Sequence, residues 1–450
     1  MRISGFLVAL LLVGVAFPLS AQPTVLTLDD VTRIALQQNI DILQAQNNVD
    51  AVSSQLTAAY GNYLPTVSAS GGWSRSQSGR SGGQTQIIEG IPVITPESVT
   101  LQNSFNAGAN ASLPIFDGLA REATLSNTQS RMNAAEQNST RVKQAIVYQV
   151  SSNYLNILRN RELVRVSEEN LRRDQRQLER IEESNRVGAL SIADVYRQQS
   201  QVANDELSLI QAQNNYAKSK ADLVAILSLD PALEYDFVDP SVRTQMDSTE
   251  VKATLQKYSD IRMAIMTALE NRPDYKATLE NYNAAEANVT GASSSYWPSL
   301  SASASYGVFS NKLRTLSVND YNLSWGISVR WLLFDGFGRE QQVQNAKVGS
   351  RNAELNLIQA EKDIAVEVKK ALLDLDAARK AWEVSEKALI SAEQDRRIAE
   401  ERFNLGGGTL LDLLVANANY VGAEANRVNS IAGFLISKYN TEFVLGVRSF

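Results

Sequence analysis

Apolar and polar residues alternate along four stretches of this chain, and these stretches lead into long helical patterns. In the run from Asn322, the apolar residues are Leu323, Trp325, Ile327, Val329 and Trp331. Asn322, Ser324, Gly326, Ser328 and Arg330 fall between them. A period of two predicts a strand with one oily and one wet face. At Phe334-Asp335-Gly336 the period changes. From Gln341 to Asn404 there is no proline, and Ile364, Val368, Ala371, Leu375, Ala378 and Trp382 recur at helical steps of three and four. The transition occurs earlier too. Phe105, Ala107, Ala109, Ala111, Leu113 and Ile115 alternate, Phe116-Asp117-Gly118 follows, and Arg121 corresponds to Arg339.

Two such joints imply a duplicated chain. Ala35-Leu36, Asp41, Pro65 and Ser68-Ala-Ser70 match Ala268-Leu269, Asp274, Pro298 and Ser301-Ala-Ser303 at an offset of 233. Beyond the joint the offset is 218: Phe116, Gly188 and Asp194 match Phe334, Gly406 and Asp412. The difference, 233 − 218 = 15 residues, falls between the two strands of each copy, so those loops vary while the helices keep register.

The expected order is helix, strand, strand, long helix, helix, twice over. In the first repeat (22–229), a helix over Leu28–Tyr60, capped by Thr27 or Asp29, precedes a strand over 64–75. A Gly-, Ser- and Pro-rich loop over 76–100 leads to a second strand, 103–116. The run 119–186 has neither Pro nor Gly; a helix of that length spans roughly 100 Å at ~1.5 Å per residue, more than a globular core needs. A turn at Gly188 and a returning helix over 191–229 follow. The second repeat (261–450) reads as a helix over 261–296 that Pro273 interrupts, strands over 299–309 and 321–333 around a short loop, a helix over 337–405, a turn at Gly406–Gly408 and a last helix over 410–444. Segment 230–260, with Pro231 and Pro240, links the copies.

The ends and the composition narrow the class. Met1–Ala21 reads as a signal peptide cleaved after Ala21, so the protein is exported. No later stretch reaches the ~20 apolar residues of a membrane-spanning helix. The chain has 0 His and 0 Cys. That leaves no disulfide, no thiolate metal site and no cysteine for a lipid anchor, and it removes the commonest metal ligand and general base. No G-x-S-x-G and no phosphate loop occurs. No enzyme, cofactor or metal is expected, and a pI near 5.2 argues against nucleic acid.

Four strands with unbroken oily faces and small polar opposite faces suit a transmembrane β-barrel. Trp73, Trp297, Trp325 and Trp331 lie in or beside them, where interfacial girdles belong. A soluble sandwich would share the one buried face but not the signal peptide, the aromatic placement or the polar lumen face. Four strands cannot close, and open edges are not tolerated in lipid, so they must pair between copies. Two copies give eight strands and a filled interior; three give twelve, the first such multiple to leave a channel. The long amphipathic helices fit a coiled-coil stalk or a hollow tube, and their direct joint to membrane strands favours the tube.

At this point the chain resembles the TolC-like outer-membrane efflux proteins over nearly its whole mature length. The resemblance rests on the tandem repeat, on Tyr63-Leu-Pro65 and Tyr296-Trp-Pro298, on the two Phe-Asp-Gly joints, and on the turns Arg186–Asp194 and Asn404–Asp412. It implies a mainly helical homotrimer with a twelve-stranded barrel in the outer membrane, four strands per protomer, and a periplasmic α-barrel. It also implies a periplasmic adaptor protein, an inner-membrane pump reached through that adaptor, and an equatorial position for 230–260. The expected function is a passive export duct for small molecules in a tripartite system. A type I protein-secretion duct and a non-conducting stalk are the alternatives. Val187, Gly188, Ala189, Leu190, Leu405, Gly406, Gly407, Gly408 and Thr409 would form the adaptor-docking tip. Asp412, with Asp194, would line the pore constriction as a ring of carboxylates. Both aspartates also have a local reading: with Ser191 and Thr409 they make Ser-x-x-Asp and Thr-x-x-Asp capping boxes. Val415 and Gly408 stand where some family members carry acidic and basic residues.

Overall fold

The computed structural model describes residues 24–83, 85–94, 97–238, 251 and 260–448. The expected signal peptide and most of segment 230–260 lie outside these residues. The first repeat contains β1 (Thr24–Leu26), α1 (Leu28–Gln38), α2 (Ile40–Gly61), β2 (Thr66–Arg80), β3 (Thr85–Ile88), β4 (Ile91–Ile94), β5 (Ser98–Phe116), α3 (Ala120–Arg186) and α4 (Ile192–Ile226). After β6 (Tyr235–Phe237), the second contains α5 (Ile261–Asn271), α6 (Pro273–Ser293), β7 (Ser299–Ser310), β8 (Tyr321–Arg330), α7 (Gly338–Asn404) and α8 (Leu410–Val444).

The two long helices are 67 residues each and unbroken, as the absence of proline requires. Each is held by a core near its middle, and the two cores are copies. Val31, Ala35, Ile146, Val150 and Leu227 are buried together in the first. Ala264, Ala268, Ile364, Val368 and Leu445 are buried together in the second. The offsets are the same 233 and 218 seen in the sequence. Thus α1 packs on the α3–α4 hairpin as α5 packs on α7–α8, and β6 adds Phe237 to the first core while pairing in parallel with β1.

The single helix expected over Leu28–Tyr60 is two helices. Asn39 is buried, takes an extended backbone (φ −63°, ψ 130°), and its side chain accepts from the Asp41 and Ile42 N–H groups. Its amide also donates to the Ile226 carbonyl at 2.8 Å. Asparagine prefers such a cap to a helix interior. The same break recurs 233 residues on, at Arg272, with Pro273 as the first residue of α6. There a buried guanidinium binds Asp274 at 2.5 Å, Glu367 at 2.5 Å and the Val444 carbonyl at 3.4 Å.

β2, β5, β7 and β8 form one antiparallel sheet in that order. Its register aligns the alternation: Val67 faces Ala111, which faces Ala304, which faces Trp325. One face therefore carries Trp73, Phe105, Val308, Tyr306, Leu323, Ile327 and Val329. The other carries Ser70, Asn110, Ser305 and Ser324, with Ser301 and Ser328 hydrogen-bonded across it at 2.9 Å. Both outer strands, β2 and β8, are exposed along their length, and within the chain each has one unpaired edge.

Two strand limits differ from the expectation. The loop expected over 76–100 is mostly strand, because β2 and β5 pair from Arg80 and Ser98 onward and β3–β4 is a hairpin beyond them. The run from Ser76 to Arg80 carries no apolar residue, so the end of β2 shows no period of two, and only Val99 and Leu101 of β5 mark the strand opposite it. The strand expected to reach Leu333 stops at Arg330, because the carbonyls of Leu332 and Leu333 are taken by Arg339.

Candidate functional site

The sheet meets the helices through two matching joints. In each, two successive residues adopt left-handed backbone: Gly118 and Leu119 (φ 71° and 74°), Gly336 and Phe337 (φ 69° and 70°). An arginine then locks the turn. Arg121 Nε donates to Asp117 at 3.0 Å, and its two terminal nitrogens donate to the carbonyls of Pro114 and Ile115. Its guanidinium lies 5.0 Å from the Tyr63 ring centroid. Arg339 repeats the contacts with the Leu332 and Leu333 carbonyls and the Tyr296 ring, but its Nε stands 3.6 Å from Asp335, which accepts from the Arg339 backbone N–H instead. The planar fork suits two adjacent carbonyls and a ring face. The sequence showed all six side chains; their mutual contact needed the fold.

About 100 Å along each long helix, at ~1.5 Å per residue, lies a turn. Gly188 (φ 76°) and Gly406 (φ 75°) take the left-handed position after the helix end. Ala189 N–H returns to the Ser184 carbonyl at 2.8 Å, and Gly407 N–H to the Arg402 carbonyl at 2.9 Å. Both are Schellman endings, which need glycine at that position. Val187 and Leu405, equivalent positions, are 76% and 86% exposed, an apolar side chain presented twice at the same place. The two turns sit side by side because Ile181, Val195 and Leu410 are buried together, with Leu190, Phe403 and Leu414 against them. Of the residues expected at this tip, Val187, Gly188, Ala189, Leu405, Gly406, Gly407 and Thr409 are exposed, while Leu190 and Gly408 are half-buried.

The two aspartates diverge. Thr409 and Asp412 form a complete capping box: Asp412 N–H donates to the Thr409 hydroxyl, and the Asp412 carboxylate accepts from Thr409 N–H at 3.1 Å and its hydroxyl at 2.8 Å. Those donors hold Asp412 below the ordinary carboxylate range. At the first turn the box is incomplete. Asp194 bonds only the Ser191 hydroxyl and N-cap contact, and its second oxygen pairs with Arg197 at 2.9 Å. Val415 stands where Arg197 stands. Asp412 thus keeps an exposed carboxylate with no ion-pair partner among the described residues, only the more distant influence of Arg402, whereas Asp194 is paired with Arg197.

A family profile described as "Outer membrane efflux protein" matches residues 31–228 and 264–433, one segment on each repeat. The chain belongs to the outer membrane efflux protein family. It is 27% identical over 433 residues to the probable efflux pump outer membrane protein TtgC of Pseudomonas putida, covering 93% of this chain and 82% of that protein. It is 24% identical over 427 residues to protein CyaE of Bordetella pertussis, covering 92% and 84%. The crystal structure of the Campylobacter jejuni CmeC outer membrane channel superposes with a TM-score of 0.76 at 20% identity, covering 93% of this chain and 85% of that one. The efflux-protein fold is therefore the mainly helical one with a four-stranded membrane sheet. No described helix is long and apolar enough to cross a membrane.

Proposed function

We propose that this efflux-family protein is the outer-membrane duct of a tripartite efflux system, a passive path for small molecules with no chemistry of its own. The observation that carries this is the sheet: an oily face continuous over four strands, two unpaired edges, and a direct joint to hairpins about 100 Å long. Lipid does not tolerate open edges, so β8 of one copy pairs with β2 of the next. Three copies give twelve strands with the serine and asparagine face inward. TtgC is named as a pump's outer membrane protein, which favours small-molecule efflux. The test is single-channel recording from purified protein in planar bilayers, where steady conductance is expected and its absence would leave a stalk.

The same recordings test Asp412. Three exposed carboxylates at one level attract cations, as charged rings do in channels. Asp412→Asn keeps a capping oxygen and removes the charge. It should lower cation preference while leaving thermal stability nearly unchanged; an unaltered channel would leave Asp412 with capping alone.

The turns at Gly188 and Gly406 are assigned to a periplasmic adaptor, with Val187 and Leu405 as apolar contacts and the inner-membrane pump beyond it. Photo-crosslinkers at Ala189 and Thr409 should capture one protein of adaptor size in cells. Capture of nothing but neighbouring copies would count against docking at this end.

A further inference from the structure

The α3–α4 hairpin contains two acidic side chains that the duct does not use. Asp174 of α3 is 2% exposed and Asp205 of α4 is 5% exposed. They lie within hydrogen-bonding reach of each other, about 21 Å above the Gly188 turn at ~1.5 Å per residue. Gln201 donates to Asp205 Oδ1 at 3.0 Å, but Asp205 Oδ2 is buried without a donor. The wholly buried Gln198 spans the same place, its amide donating to the Asp174 carbonyl at 3.1 Å. A cavity of about 220 Å³ opens beside the pair, lined by Asn170, Gln201, Leu414, Asn417 and Val421.

Among the described residues neither carboxylate has an ion-pair partner, although Arg173 is near enough to favour the charged form of Asp174. Arg173, the adjacent cation of α3, is turned toward Glu424 and the Tyr420 ring of α8. Arg396 of α7 also lies against that ring, 4.7 Å from its centroid, and pairs with Glu400. From α4, Gln201 is neutral. Two buried carboxylates in contact cannot both be charged at modest cost. Burial, then the contact with Asp205, pushes Asp174 up to about 7.

The duplication supplies the control. At the offset of 218, the places of Asp174 and Asp205 in the α7–α8 hairpin are held by Ala392 and Ala423. Packing two long helices in this fold does not require a carboxyl there.

We propose that Asp174 and Asp205 share one proton that clasps α3 to α4, and that the α3–α4 hairpin loosens when that proton leaves. The proton supplies the donor that Asp205 Oδ2 lacks. On its loss, the O–H of one carboxyl breaks, the proton passes to water entering the cavity, and two like charges remain in contact between the helices. The lower end of the tube wall is then responsive to the pH around it, whatever the tube conducts.

Stability follows the proton. The native pair holds it where an unfolded aspartate, near 3.8, has already released it. The added stability is fully present below that value and is lost as pH rises through about 7. With 0 His and 0 Cys in the chain, few other groups titrate there. The experiment compares the intact protein in detergent with D174A/D205A, the residues of the second repeat. Wild type should show a protonated carboxyl by infrared spectroscopy that titrates around pH 7, and a melting temperature that falls as pH rises toward about 7 and levels off above it. In D174A/D205A both signals should vanish. Persistence of the pH-dependent melting in D174A/D205A would overturn the proposal. Should that variant fail to assemble, the wild-type infrared titration decides by itself: no carboxyl with a midpoint near that pH would overturn it too.

Discussion

Gly118→Ala is expected to destabilise the protein by about 2–5 kcal/mol, and Gly336→Ala by only about 1–2 kcal/mol, although both sit at the same point of a Phe-Asp-Gly joint. Both glycines have left-handed backbone, φ 71° and 69°, so any side chain carries the first penalty of about 1–2 kcal/mol. The surroundings separate them. A methyl on Gly118 would lie 2.5 Å from the Ser294 carbonyl oxygen and 2.9 Å from Trp297 Cβ, where the end of the second repeat's first helical section crosses the joint. A methyl on Gly336 meets nothing within 4 Å. Backbone cannot yield as a flexible side chain does, so the clash adds about 1–3 kcal/mol. Thermal melting of the two purified variants decides. Equal shifts would mean that the first joint is looser than its contacts require.

The second large effect lies one residue apart in β8. Ile327→Lys should abolish or severely reduce assembly in the outer membrane, while Ser328→Lys should be tolerated. Ile327 is on the oily face, opposite Ala302; Ser328 is on the polar face, opposite Ser301. A lysine facing lipid near the midplane costs about 2–4 kcal/mol per chain, and a lumen-facing one changes selectivity instead. The readout is the amount of assembled oligomer in outer-membrane fractions. Loss in both variants, or in neither, would show that the faces are not divided between lipid and water.

What the sequence made legible was periodic. The oily faces of β5 and β8 and the stripe from Ile364 to Trp382 repeat often enough to be read without a fold. The Asn39 break was not legible, because one asparagine in a polar helix looks like solvent-facing ornament until Ile226 is seen to accept from it. Strand beyond Arg75 was hidden because the run from Ser76 to Arg80 has no apolar residue, and the two that alternate on the partner strand, Val99 and Leu101, are too few to read without the pairing. At the tip, the glycines announced their turns and Thr409 its cap. Val415 in place of Arg197 was visible too, but its effect on Asp412 required knowing that Arg197 reaches Asp194. Asp174 carried a faint signal: it falls in step with Val166, Asn170, Gln177 and Ile181, all buried on one face of α3.

The two repeats differ most where β2 and β5 continue past β7. β7 ends at Ser310, opposite Phe105, yet β2 and β5 remain paired for the rungs from Ser74–Ser104 to Arg80–Ser98. Seven further rungs at ~3.4 Å add roughly 24 Å of two-stranded ribbon, tipped by the β3–β4 hairpin. In the proposed duct, with the joints facing the periplasm, each protomer's ribbon would project beyond the membrane on the outer side. Only one copy of the duplicated gene builds it. Changes in the length or sequence of the outer end can then be confined to that copy's ribbon, while the short turn between β7 and β8 leaves the register of the sheet untouched.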